Sequence, residues 1–435
     1  MITAQRQAQD LLDFIDASPS PWHAVASIEG RLQAHQFQRI QESEAWSLAS
    51  GGRYYVIRDD SSIAAFVIGK QALAATGFKI LGAHTDSPGL RVKPQPLLDS
   101  DKLLRLAVEV YGGPILATFA DRDLSLAGRI AYLNSDGNIA SQLLRFEEPL
   151  LRLPNLAIHM NRSVNEDGLK LKKQSELPLI FSASVEHQLP ADRFRQLLEQ
   201  VSNIAAERIL SWELNAYDTQ KGTLWGDGQL FYADSQLDNL ASCHAGLTAL
   251  LDPSTLDADS TLVCAFFDHE EIGSESCKGA AGSFLPDVLE RIANAVGNNP
   301  DDYRRALANS FMISADMAHA YQPNFPGAYE PGHKIIVNHG PVIKVNVNHR
   351  YASECISEAT FIRICQQAEV PYQKYAHHGD LPCGSTIGPI ASAKLGIRSV
   401  DVGSPMWAMH SIRESAGVLD HAYMIRALRG FFSNR

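Results

Sequence analysis

Phe78-Lys79-Ile80-Leu81-Gly82-Ala83, running into His84-Thr85-Asp86-Ser87-Pro88, is the stretch on which the fold turns. An apolar run of strand length that ends in polar, proline-terminated chain reads as a buried strand whose carboxyl end opens into a loop. The same texture recurs downstream at 261–268, 311–315 and 399–402, each an apolar run between helical segments at 240–251, 283–296, 358–369 and 416–432. Upstream, Leu11, Leu12, Phe14 and Ile15 bunch on one helical face before Ser18-Pro19-Ser20-Pro21 breaks the helix. Ser20 is placed to cap a second helix beginning at Pro21, and 54–57 and 63–68 read as two short strands. Helices alternating with buried strands predict an α/β domain with a mostly parallel sheet flanked by helices.

The middle of the chain breaks this rhythm. After Lys93-Pro94-Gln95-Pro96 come β-rich runs at 103–111, 115–119, 126–133 and 177–185, then a helix expected over 191–212 and a loop at Trp225-Gly226-Asp227-Gly228. The economical reading is a discontinuous catalytic domain made of residues 1–93 plus 232–435. A β-rich insertion, 94–231, interrupts it and serves oligomerisation.

Bulk properties narrow the function. The 435 residues are 45% hydrophobic, enough for a sizeable core, and the net charge of −11 argues against a nucleic-acid binder, which needs a basic face. It offers acidic substrates no general attraction, so any such preference must come from local positive charge in a pocket. The six cysteines form no C-x-x-C pair and are expected to be free thiols in a reducing compartment. The first nine residues are polar and no stretch approaches the ~20 apolar residues of a membrane span. The expectation is a soluble cytoplasmic protein without a membrane or nucleic-acid partner.

Ligands of α/β sheets bind at the carboxyl ends of the strands, and three such ends here carry metal-type side chains: His84 and Asp86, then Asp268-His269-Glu270-Glu271, then Asp316. Asp238 sits where a helix begins and His410 in a loop before the last helix. A lone strand-end acid is usually a cap or turn residue and a lone histidine a satisfied structural one. A joint set of histidine and carboxylate ligands suits paired zinc ions. Glu270-Glu271 is the sharpest feature: adjacent acids after so apolar a strand repel, and one binding a metal while the other handles a proton would stabilise them, the alternative being an ordinary acidic turn on a solvated face.

The stretches 82–88, 268–274, 314–320, 383–389 and 409–414 closely resemble the aspartyl aminopeptidase family of dinuclear zinc peptidases, in order and over nearly the whole chain. The resemblance implies a dizinc exopeptidase-like catalytic domain in which Asp238 bridges two Zn2+ ions. His84 and Asp316 complete one ion's shell, and Glu271 and His410 the other's. Glu270 is then the general base, and Asp86 accepts a hydrogen bond from His84 and sets its tautomer. Two zinc ions about 3.5–4 Å apart polarise a scissile carbonyl and acidify a water; Co2+ or Mn2+ could substitute.

The family prefers peptides with N-terminal Asp or Glu. A carboxylate pocket needs a buried cation, for which the resemblance offers Lys344 and His319, with Tyr351 as a hydroxyl donor; on sequence alone 342–345 could equally be an edge strand with an outward lysine. Gly384-Ser385-Thr386 offers amides and hydroxyls at a helix start. His159 in the insertion could be a further metal ligand, but the resemblance implies that it reaches the substrate in a neighbouring subunit of a tetrahedral dodecamer that admits short peptides. His269, His349 and His377-His378 are read as structural or as supports of the metal ligands. The competing functions are a broad-specificity dizinc aminopeptidase, an amidohydrolase of small acyl-amino acids and, remotely, a non-catalytic oligomeric scaffold.

Overall fold

In the strand Thr261–Phe267, Leu262, Cys264 and Phe266 enter one hydrophobic core while Val263, Ala265 and Phe267 enter another. A strand buried on both faces requires cover on both faces, and the helices supply it. The structure, a computed structural model, describes residues 1–184 and 190–433. They divide into two compact units, Met1–Asp86 with Gly222–Met409 and Glu414–Arg435 as the first, Ser87–Lys221 with His410–Arg413 as the second.

The first unit is built on a nine-stranded sheet. Its spatial order is Gln38–Arg39, Arg53–Arg58, Ser62–Val67, Thr261–Phe267, Phe78–His84, Phe311–Ala315, Arg398–Gly403, Val342–Val345 and Gln373–Ala376. Of the eight neighbouring pairs, five are parallel and three antiparallel, and the four central strands all run the same way. One core receives the helices Ile2–Asp16, Pro21–Ala34, Leu237–Leu250, Cys355–Gln367 and Val418–Ser433. The other receives Phe284–Ala295, Pro300–Ala308 and Ile387–Leu395. Each large apolar side chain fully buried in these cores is worth about 1.5–3 kcal/mol. A smaller five-stranded sheet, from Thr223–Trp225 to Ala318–His319, completes this unit. Leu11, Leu12, Phe14 and Ile15 are buried as their spacing predicts, and the Ser20 side chain accepts the His23 N–H.

The second unit is an antiparallel six-stranded sheet with its own core, which includes Phe194 and Leu198 of the helix Pro190–Ser202. Four expectations change here. The boundary expected at 93/94 falls inside the strand Gly89–Ser100, because that strand passes through Pro94 and Pro96. Prolines cannot donate to the ladder, so the pairing with Leu103–Tyr111 slips between Val92 and Leu97 and then resumes. The helix expected over 191–212 ends at Ser202, and Ile209–Asp218 is a strand paired with Leu124–Leu133. Sheet pairing decided between periodicities that so short an apolar segment leaves open. The run at 115–119 is a short 3-10 helix, Leu116–Phe119, and the strand expected at 177–185 spans Leu179–Ala183, with Val185 outside the described residues. No helix among the described residues is long and apolar enough to cross a membrane.

Candidate metal centre

Parallel pairing sets Phe267 beside His84 and Ser314 beside Gly82. Three neighbouring strands therefore end together, delivering His84, Glu270-Glu271 and Asp316 to one edge of the sheet. Asp238 arrives from the start of the helix Leu237–Leu250, where Asp238 and Asn239 depart from helical dihedrals. The Asp238 N–H donates to Glu414 Oε2 at 3.0 Å and Asn239 Nδ2 donates to the Ala315 carbonyl at 2.8 Å, so this non-helical turn is tied on both sides.

His84 is the hub. Its Nε2 lies 3.5 Å from Asp238 Oδ1, 3.8 Å from Asp316 Oδ1 and 3.9 Å from Glu270 Oε2. Ligand atoms of His84, Asp238 and Asp316 all fall within 4.8 Å of one another, as do those of His84, Glu270 and Glu271. His84 Nδ1 faces the Asp86 main-chain carbonyl at 3.0 Å, with the Asp86 carboxylate farther off at 3.4 Å. That carboxylate accepts instead the backbone N–H groups of Glu270 and Glu271, both at 3.1 Å. Asp86 thus sets the histidine tautomer through its carbonyl and holds the acidic turn through its side chain.

The electrostatics describe a site short of positive charge. Burial opposes protonation of His84, yet the surrounding carboxylates of Glu270, Asp238, Asp316 and Asp86 raise its pKa well above the ordinary value. Burial pushes Glu270 up to about 9, with Asp316, Glu271 and Asp86 adding to the rise and His84 opposing it. Buried like charges of this density call for a cation. The donor set, imidazole nitrogen plus carboxylate oxygens, fits zinc. The neighbouring thiol is no ligand: Cys243 Sγ donates to the His84 carbonyl at 3.1 Å and burial raises its pKa.

Lys344 is an interior residue of the sheet, since Val342–Val345 lies between Arg398–Gly403 and Gln373–Ala376. The outward-facing edge lysine is ruled out: Lys344 is 3% exposed. Its Nζ sits 3.3 Å from Asp316 Oδ2, 3.2 Å from the Met317 carbonyl and 5.1 Å from the centre of the buried Tyr351 ring. His319 lies in the same unit, lowered to about 4 by burial and then by Lys344 and His377. Its ring is therefore held neutral, and it lies beside the Tyr375 and His377 rings. Thr386 caps the helix Ile387–Leu395, its oxygen accepting the Gly388 N–H, and Ser385 Oγ donates to the Arg350 carbonyl at 3.1 Å while Gly384 stays exposed.

His410 and His159 belong to the second unit. His410 Nδ1 meets the Gly113 carbonyl at 3.1 Å, so Nε2 is the nitrogen that would carry a metal. His159 is exposed, between Leu156 and Ile158 on one side and Met160 on the other, all exposed as well. The histidines read as structural have local partners: His269 with Ser276, His377 with the Tyr375 hydroxyl, His349 with Glu354, and His378 with the Asp380 N–H. Sequence reasoning missed Glu414, which holds Asp238, and Lys278, which reaches Asp268 at 3.2 Å and Asp59 at 2.9 Å. It also missed Asp401, inside the strand Arg398–Gly403. An acid within an apolar strand was the available signal, because such groups are almost never buried unpaired.

The family model described as aminopeptidase I zinc metalloprotease (M18) matches residues 14–432. A curated relative from Stutzerimonas stutzeri (strain A1501), "Probable M18 family aminopeptidase 2", is 47% identical over 430 residues, covering 98% of each chain. The solved complex of Ape4 and Nbr1 aligns with a TM-score of 0.95 at 38% identity, over 99% of this chain and 86% of that one. The S. cerevisiae mApe1 dodecamer aligns with a TM-score of 0.86 at 28% identity, over 98% of this chain and 96% of that one.

Proposed function

Because the chain belongs to the M18 family of aminopeptidase I zinc metalloproteases, we propose that it removes N-terminal residues, Asp and Glu foremost, from short peptides. The observation that carries the reading is the convergence of His84, Asp238, Asp316, Glu270 and Glu271 on one sheet edge, with Lys344 buried against Asp316. Asp238 would be the carboxylate shared by two zinc ions, with His84 and Asp316 as the further ligands of one and Glu271 and His410 of the other. Zinc bound there supplies Lewis acidity toward the scissile carbonyl and lowers the pKa of a water.

The protein's own groups do the rest. Glu270 takes the proton of the attacking water and returns it to the amine nitrogen as the peptide C–N bond breaks. Asp86 holds the backbone under that glutamate. Lys344 is the cation that meets the carboxylate of an acidic N-terminal side chain, with neutral His319 and the Tyr351 hydroxyl as hydrogen-bond partners. The backbone of Gly384-Ser385-Thr386 grips the peptide. His159 contacts substrate in a neighbouring subunit of a homo-oligomer, by analogy with the mApe1 dodecamer, and the enzyme works in the cytoplasm.

Zinc content and hydrolysis of Asp-, Glu-, Leu- and Ala-reporter substrates, before and after chelation, test this. Two zinc ions per chain and a preference for the acidic reporters are expected. Preference for Leu or Ala would leave a broad aminopeptidase, and one ion per chain would remove the bridging role of Asp238.

A further inference from the structure

Asp401 is fully buried, and its contacts reach three separate segments. Its Oδ1 accepts the Ser314 hydroxyl at 2.5 Å and the Thr386 hydroxyl at 2.7 Å, and its Oδ2 accepts the Ala352 N–H at 2.5 Å. Its own N–H donates to Ser353 Oγ at 2.9 Å. Ser314 lies on the strand Phe311–Ala315, which Asp316 directly follows. Ala352 and Ser353 follow Tyr351, and Thr386 ends the Gly384-Ser385-Thr386 segment. One carboxylate therefore joins the strand before a candidate metal ligand to both segments assigned to the substrate.

Donors surround the carboxyl group. Burial leaves its pKa raised overall, although Lys344, the Ser314 hydroxyl, the Ala352 N–H and the Thr386 hydroxyl oppose the rise. The carboxylate abuts the first turn of the helix Ile387–Leu395: a Cβ at Gly388 would stand 2.3 Å from Asp401 Oδ2. Only glycine leaves room there, and a helix amino end favours a negative charge beside it. The Thr386 hydroxyl is committed to Asp401, so that loop's contribution to a peptide must come from its backbone and from Ser385.

We propose that Asp401 is a positioning residue for substrate, locking the Tyr351–Ser353 and Gly384–Thr386 segments in one mutual arrangement above the Asp316 strand. The proposal rests on the assignment of those segments to substrate binding made above. A residue acting this way lowers KM through preorganised contacts. A merely structural role would instead reduce the amount of folded enzyme and leave KM alone.

The test is Asp401→Asn in the full-length, zinc-loaded protein, with kcat and KM read on whichever reporter the wild type prefers and zinc measured in parallel. The expected result is KM raised about tenfold, about 1.4 kcal/mol, with kcat within about twofold and zinc content unchanged. An unchanged KM, or a fall in kcat alone, overturns the proposal. If Asp401→Asn does not fold, the Thr386 pair decides. Thr386→Val should raise KM, and Thr386→Ser, which keeps the hydroxyl, should restore it; equal effects of the two overturn the proposal. A wild type that prefers Leu or Ala sinks the acidic preference yet leaves this comparison intact, because KM is read on the preferred substrate.

Discussion

Glu270 and Glu271 are adjacent acids whose backbone N–H groups both point at the Asp86 carboxylate, so three carboxyl groups converge on one turn. In metal-free protein Glu270 holds its proton up to about 9, chiefly through burial and then through Asp316, Glu271 and Asp86, whereas bound cations would lower that value and leave it ionised as a base. The sign of the resulting pH dependence follows. The folded value lies above the ordinary 4.5, so the neutral carboxyl contributes stability that is complete below pH 4.5 and is lost as pH rises through about 9. His84, also raised, acts in the same direction above 6.5. Metal-free protein should therefore lose stability between pH 5 and pH 9, and Glu270→Gln should flatten part of that decline. Denaturant midpoints of chelator-treated wild type and variant against pH check this; a wild type that gains stability across the window contradicts it. The same substitution in zinc-loaded enzyme should cut kcat by about 10²–10⁴-fold with zinc content unchanged, because Gln keeps the shape but cannot accept the water's proton.

At the scale of elements, the helix Leu237–Leu250 and the strand Phe78–His84 deliver Asp238 and His84, and their spacing depends on Gly246. A Cβ at Gly246 would stand 2.0 Å from Leu81 Cδ2 in the core, so helix and strand touch where the glycine is. Gly246→Ala should cost about 1–3 kcal/mol through overpacking and weaken zinc binding by shifting Asp238 from His84. Adding Leu81→Ala makes room and should recover part of both losses; strict additivity of the two stability changes in a double-mutant cycle would disprove the contact. These strand-end elements were legible because continuous apolar runs and a following polar loop are local signals. The strand Ile209–Asp218 was not, because its partner Leu124–Leu133 lies about 85 residues away and only pairing distinguishes it from an extended helix. Asp401 and Glu414 were hidden for a related reason: the role of each is set by partners from distant segments. Lys344 was half legible. Its residue type suited a carboxylate pocket, but only the strand order showed it to be interior.

For the molecule as a whole, the insertion is the part whose purpose the catalytic geometry leaves open. It has its own sheet and core, and it exposes Leu156, Ile158 and Met160 around His159. Exposed apolar side chains of this kind suit a contact with another chain, and the related mApe1 forms a dodecamer. If His159 serves a neighbour's site, two defects on different chains can repair one another. His159→Ala alone should lose most turnover while keeping its zinc, and Glu270→Gln alone should do likewise. Co-expressed in equal amounts, the two variants would assemble at random. Half of the subunits then carry Glu270, and half of those face a neighbour carrying His159, so about a quarter of wild-type activity should return. The measurement is specific activity of mixed oligomers isolated through a different tag on each variant. If His159 acted within its own chain, every site would lack one of the two groups and no activity would return. Loss of zinc from His159→Ala would instead make His159 a ligand, so the assay separates all three roles.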